Sequence, residues 1–203
     1  TILVGIFIVQ FLRIDDSNIS SHSLRFYDDG LFQKGRTQNS VNNSISYHIV
    51  AGVIPHHIVA ADLLSQAEHG ADSSAILLTT SNELATAVQQ EIQQQLPLLS
   101  RAEIAVKALN NSKIILLHTM EDIIEWTNEY APEHLIISTK NYTNIANRIT
   151  NAGSIFLGYL TPESSGDYAS GTNHTLPTNG YAKANSGVNL NSFKKKITYQ
   201  ELT

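Results

Sequence analysis

The chain has 203 residues, a formal net charge of -5 and 42% hydrophobic residues, enough apolar content for a domain with its own core and too much for global disorder. Charged residues make up only 15%, which argues against a nucleic-acid surface; the one basic run, Lys194-Lys195-Lys196, reads as the solvated start of a helix. Because the chain has no cysteine, disulfides, thiolate nucleophiles and thiolate metal sites are excluded, and any metal must be held by His, Asp, Glu, amide oxygen or water.

The first residue is Thr, which fits a fragment or a processed chain. Ile2 to Leu12 is strongly apolar but too short to span a bilayer, and without a basic leader it reads as a core strand. A cytoplasmic protein with no membrane or nucleic-acid partner is expected. Gln38 to Ser46 has no usable periodicity, no element is placed between Ser17 and Ser46, and Tyr47 to Ile54 reads as a strand closed by Pro55. From His56 the pattern becomes regular. Ile58, Val59, Ala61, Leu63 and Leu64 predict a helix capped at Gly70. Ser74–Thr80 is a short buried strand. Ser81 or Asn82 then caps a helix with Leu84, Val88, Ile92 and Leu96 on one stripe. Ser100 and Glu103 form a capping-box signature for a further helix to about Asn110. Lys113–His118 is a strand, Thr119 opens a helix through Glu129, and Pro132 stops it. Leu135–Ser138 is a strand, Asn141 caps a helix to Ala152, and Ser154–Leu157 is the last strand.

Strands that are continuous apolar runs, alternating with helices from 56 to 157, predict an α/β fold. Its sheet is mostly parallel with helices on both faces, Rossmann-like but incomplete, preceded by an irregular N-terminal segment. The expected division is a segment 1–55, an α/β domain 56–180, and the start of a helical tail at 181–203. No Gly-x-Gly-x-x-Gly follows a strand, and no Walker loop is present.

The stretch from Gly158 to Thr178 leaves the last strand and is too long for a plain connection. In open α/β sheets ligands bind outside the carboxyl ends of the strands, so this loop is expected to line a site there. It carries only two formal charges, Glu163 and Asp167. Its glycines Gly158, Gly166 and Gly171 permit unusual backbone conformations or a close approach. Asp167 and His174 are oxygen and nitrogen donors of the kind zinc accepts; alternatively, Asp167 makes a turn in an irregular surface loop.

Two further clusters stand out. Glu133 and His134 are adjacent after Ala131-Pro132, two bases of ordinary pKa near ~4.3 and ~6.5, and two proton transfers in one reaction could use both. They could equally be a helix-end Glu and a strand-start His bonded to a carbonyl. Gln66 and His69, three apart, share the last turn of their helix. They are either an exposed polar face, with Glu68 a solvated charge beside them, or ligands, since an amide oxygen can coordinate a metal.

The stretches A-A-D-L-L-S-Q-A-E-H-G (60–70), A-P-E-H-L-I-I (131–137), A-G-S-I-F-L-G (152–158) and P-E-S-S-G-D-Y-A-S-G-T-N-H-T-L-P-T (162–178) closely resemble histidinol dehydrogenase, nearly continuously from about Val59. The resemblance implies NAD-dependent oxidation of L-histidinol to L-histidine through an aldehyde, the last step of histidine biosynthesis, with zinc at the site and two NAD used in succession. Gln66, His69 and Asp167 match three of the family's four zinc ligands. Glu133 and His134 match its catalytic acid–base pair. Gln66, His69, His134 and Asp167 would touch substrate, and His174 would take a supporting role. The family's shared active site implies a homodimer.

The chain departs from the family at both ends. The family's chain is about twice as long by domain size, and the lobe with most of its NAD contacts has no match here. Tyr47 to Ile54 stands where a substrate-contacting Gly-Pro-Ser-Glu segment is expected. The fourth zinc ligand, a tail His of the partner subunit, and a substrate-binding tail Glu both fall beyond Thr203. Two other functions compete with the dehydrogenase. One is a truncated, non-catalytic fragment that keeps a zinc- or imidazole-binding scaffold. The other is a zinc hydrolase using Glu133 as base, which the missing His-Glu-x-x-His pair disfavours.

Overall fold

The structure, a computed structural model, describes residues 10–13, 45–51 and 55–203, with side chains described from 55 onward. Among these residues six strands form one sheet in the order β1-β4-β3-β2-β5-β6, and every pairing in it is parallel. The strands are β1 (Gln10–Arg13), β2 (Ile45–Ala51), β3 (Ser74–Thr79), β4 (Lys113–Leu116), β5 (His134–Thr139) and β6 (Ser154–Leu157). The helices are α1 (His56–Ala67), α2 (Asn82–Gln95), α3 (Ala102–Leu109), α4 (Met120–Tyr130), α5 (Tyr142–Ala146) and α6 (Glu163–Tyr168). The chain steps outward from β2 to β3 and β4, then returns across them to β5 and continues to β6. The direction of winding therefore reverses between β2 and β5.

Both sheet faces are covered, as the unbroken apolar strands predict. Alternation along each strand divides the core in two. Ala75, Leu77 and Ile114 pack with Val59, Leu63 and Leu64 of α1, Val88 and Ile92 of α2, and Ala105 and Ala108 of α3. Ile76, Leu78, Ile115, Leu135 and Ile137 turn the other way, against Ile123, Ile124 and Trp126 of α4 and Ile145 of α5.

Several elements differ from the sequence reading. The segment ahead of 56 holds β2, the central strand, which pairs with both β3 and β5; residues 52–54 of the expected strand lie outside the described residues. Of the apolar run 2–12, only 10–12 are described, within the edge strand β1. Helix α1 ends with Glu68 as its cap in ordinary right-handed conformation, and Gly70 is not among the positive-φ residues. Ser81, not Asn82, caps α2, its Oγ accepting from the Leu84 N–H at 3.1 Å. The Ser100/Glu103 capping box does not form. Arg101 is the cap residue of α3 and makes no side-chain cap bond; its own N–H points to Glu68 Oε1 at 3.4 Å. A full box appears instead at α4, where Thr119 Oγ1 accepts from the Asp122 N–H and the Asp122 carboxylate accepts from the Thr119 N–H.

Helix α5 is five residues long and does not reach Ala152. Its last turn tightens through bonds from Arg148 N–H to the Ile145 carbonyl and from Ile149 N–H to the Ala146 carbonyl. Beyond it, Asn128 Oδ1 of α4 accepts from the Thr150 N–H at 2.7 Å, taking a donor that a continuing helix would need. The long loop after β6 contains α6. The expected helical tail at 181–203 holds two short 3-10 turns, Tyr181–Lys183 and Leu190–Phe193. The lysine run follows the second turn in extended, exposed chain and opens no helix.

Candidate active site

Helix α1 carries a polar stripe beside its buried apolar face. Asp62, Gln66 and His69 are spaced i, i+4, i+7, so they fall on one side, with His69 in the turn just past the helix end. Gln66 is fully buried, whereas half of the His69 side chain is open.

Glu133 and His134 are set by the way α4 hands over to β5. Ala131 takes a left-handed conformation with φ 59° as the helix cap, and Pro132 prevents any continuation. The Gly153 N–H then donates to the Pro132 carbonyl and the Ser154 N–H to the Glu133 carbonyl, both at 2.8 Å. These bonds start the β5–β6 ladder at His134. Both side chains are buried. His134 lies on the same sheet face as Phe156, their rings 6.1 Å apart.

The loop 158–178 owes its course to its glycines. Gly158 and Gly171 have positive φ, 84° and 72°. Gly166, inside α6, packs on the Phe156 ring, where an added Cβ would come within 2.9 Å of ring carbon Cε1. That close approach lays α6 beside β6 and brings Glu163 and Asp167, four apart on one helix face, to the imidazoles.

The cluster has Glu163 at its centre. Its Oε1 lies 3.5 Å from Nδ1 of His134 and 3.8 Å from Nε2 of His69. These are ion-pair distances, and His134 Nδ1 is buried without a hydrogen bond. Beside them Asp167 Oδ1 lies 3.7 Å from Nδ1 of the exposed His174. Burial pulls the His134 imidazole below its ordinary pKa, while the carboxylates of Glu163 and Asp167 pull it back up. Asp62 is pushed up to about 7, first by burial and then by the Glu163 carboxylate. Two groups with shifted titration, Asp62 and His134, thus stand around the Glu163 carboxylate, an arrangement suited to acid–base chemistry.

The structure thus gathers His69, His134, Asp167 and His174, with Gln66 on the same helix stripe as His69 and Glu133 adjoining His134. Among the described residues no three His, Asp or Glu side chains stand close enough to form a metal-holding group. The cluster lies at the amino end of β5 and not at the carboxyl ends where the loop was expected to place it, because α6 runs back alongside β6. Sequence reasoning missed Asp62 and Glu163 as members. The signal for Asp62 was its i, i+4, i+7 spacing with Gln66 and His69. For Glu163 it was the four-residue spacing to Asp167.

The fold is a doubly wound α/β domain, and its buried carboxylate–imidazole cluster is a candidate site for proton transfer. The family model described as histidinol dehydrogenase matches residues 49–203. The chain is 65% identical over 144 residues to the histidinol dehydrogenase of Bacteroides thetaiotaomicron, covering 71% of this chain and 34% of that protein. It is 57% identical over 145 residues to the enzyme of Haemophilus influenzae, again covering 71% and 34%. The crystal structure of histidinol dehydrogenase from Elizabethkingia anophelis superposes with a TM-score of 0.77 at 50% identity, covering 82% of this chain and 38% of that one. This chain belongs to the histidinol dehydrogenase family. It matches about a third of the length of those curated relatives.

Proposed function

We propose that this chain forms the acid–base and metal-binding part of an NAD-dependent enzyme that oxidises L-histidinol to L-histidine, at the last step of histidine biosynthesis. The observation carrying this reading is the His134–Glu163–His69 cluster, which lies within the family-matched span. His134 is the base that takes the alcohol proton in the first oxidation. Its Nδ1 faces Glu163, so Nε2 is the atom left to accept. Glu133, adjoining it at the strand start, activates water in the second oxidation, of the aldehyde.

The donor set fits zinc in chemistry, since an amide oxygen, an imidazole and a carboxylate are all accepted ligands. Gln66, His69 and Asp167 would hold it. When bound, zinc orients the substrate's imidazole and amine, and NAD takes the hydride. Gln66, His69, His134 and Asp167 contact the substrate, and His174 supports Asp167. The α/β unit 56–180 is the zinc- and substrate-binding domain, and the assembly is a homodimer with a shared active site in the cytoplasm. Among the described residues no helix is long and apolar enough to cross a membrane.

The test is NADH formation from L-histidinol and NAD by a protein that contains this chain, compared with its His134→Ala variant. Loss of a general base lowers turnover by about 10²–10⁴-fold. Absence of oxidation, or turnover indifferent to His134→Ala, would sink the reading.

A further inference from the structure

The acid–base and ligand assignments above leave Glu163 without a role, yet it is the residue on which the cluster is centred. It is buried in the first turn of α6, a costly place for a carboxylate that has nothing to do. One of its oxygens faces two imidazoles on different elements, Nδ1 of His134 at the start of β5 and Nε2 of His69 at the end of α1. Gly166 fixes α6, and with it Glu163, because the Phe156 ring leaves no room for a side chain there.

We propose that Glu163 is the positioning residue of this cleft: its Oε1 holds His134 in the tautomer that carries hydrogen on Nδ1, presents Nε2 as the proton-accepting atom, and ties the His69 ring to the same orientation. A neutral imidazole donates from one nitrogen and accepts at the other. The atom facing the carboxylate must be the donor, since two acceptors would repel. A carboxylate oxygen can accept two such bonds, so His134 and His69 do not compete for it. The contacts of 3.5 and 3.8 Å are longer than a hydrogen bond, and catalytic hydrogen bonds commonly tighten only when substrate is bound. When His134 takes a proton, that proton goes to Nε2 and the imidazolium forms beside the Glu163 carboxylate, which stabilises it. Glu163 itself neither touches the reacting carbon nor moves a proton.

The role assigned to Nε2 rests on His134 being the base; the tautomer does not. The ring nitrogens of His134 can be read in the ¹⁵N-labelled 203-residue chain by long-range proton–nitrogen correlation, under mildly alkaline conditions with metal chelated. His134→Gln identifies the signal. The Nδ1–H form is expected to dominate in the wild-type chain. Glu163→Gln removes a charge-assisted bond and is expected to lower the ratio of Nδ1–H to Nε2–H by about tenfold or more. Glu163→Asp keeps the charge but withdraws it by one methylene, and should give an intermediate ratio. A wild-type chain dominated by the Nε2–H form overturns the proposal. So does an unchanged ratio in Glu163→Gln with unchanged thermal melting. If Glu163→Gln does not fold, Glu163→Asp decides alone: a lowered ratio supports the proposal and an unchanged one overturns it. The wild-type tautomer together with no histidinol oxidation would sink the dehydrogenase reading and leave this one standing.

Discussion

A methyl group placed on Gly153 would lie 2.5 Å from the carbonyl oxygen of Glu133. The obstacle is backbone, and that carbonyl already accepts the bond that starts the β5–β6 ladder. Gly153→Ala must therefore push the two strands apart where His134 enters the sheet. A loss of about 1–3 kcal/mol is expected, read as a lower denaturation midpoint. A variant as stable as wild type would show that the strand start yields freely.

Asp62 gives the stability a pH dependence. Its folded pKa, raised to about 7, lies above the unfolded value, so the folded state holds this proton more tightly. The contribution is fully favourable below the unfolded pKa and is lost as pH rises through the folded one. Glu163, facing it from α6, adds to the penalty on the charged form. Asp62→Asn, which cannot ionise, should be more stable than wild type by about 2–3 kcal/mol near pH ~8 and nearly equal to it near pH ~4. Urea unfolding of metal-free protein at both pH values checks this; parallel pH profiles for the two proteins would contradict it.

Thr119 and Asp122 accept from one another's backbone at the start of α4. Each alanine substitution should cost about 0.5–2 kcal/mol. The double variant should cost less than their sum, because each change already breaks part of the same box. Strict additivity in a thermal-denaturation cycle would mean that the two bonds act independently.

Zinc should stabilise the chain through Gln66, His69 and Asp167. A ligand that binds only the folded state adds about 2.7 kcal/mol at a hundred times its dissociation constant. The melting temperature should rise with zinc, fall back with chelator, and stay flat in His69→Ala and Asp167→Asn. An equal rise in those variants would place the metal elsewhere.

The sheet and the site differed in how far the sequence disclosed them. Strands β3 to β6 were legible because each is a short apolar run between capped helices. Strand β2 was legible as the run from Tyr47, but its place at the sheet centre was not, since that comes from pairing with β3 and β5, distant in sequence. Spacing and adjacency singled out Gln66, His69, Glu133, His134 and Asp167, and only the family motifs chose among the readings these left open. Glu163 escaped because α6 is six residues long, too short to persist without tertiary support. That support, Gly166 on Phe156, is invisible along the chain. The expectation of a longer α5 fails for the same reason, since the acceptor that takes the Thr150 N–H, Asn128 Oδ1, sits on a different helix.

Strand β5 joins two places that could each hold a ligand. The acid–base cluster is at its first residue, His134, while the reversal of winding beside β2 opens at its last, Thr139. Five steps of about 3.3 Å put the two ends about 16 Å apart. Hydride transfer needs its partners within about 3–3.5 Å. On the proposed function, a nicotinamide held at the crevice end of β5 would stand about 16 Å from a carbon held at His134. On that reading, the oxidant would reach the substrate from the amino rim of the sheet instead.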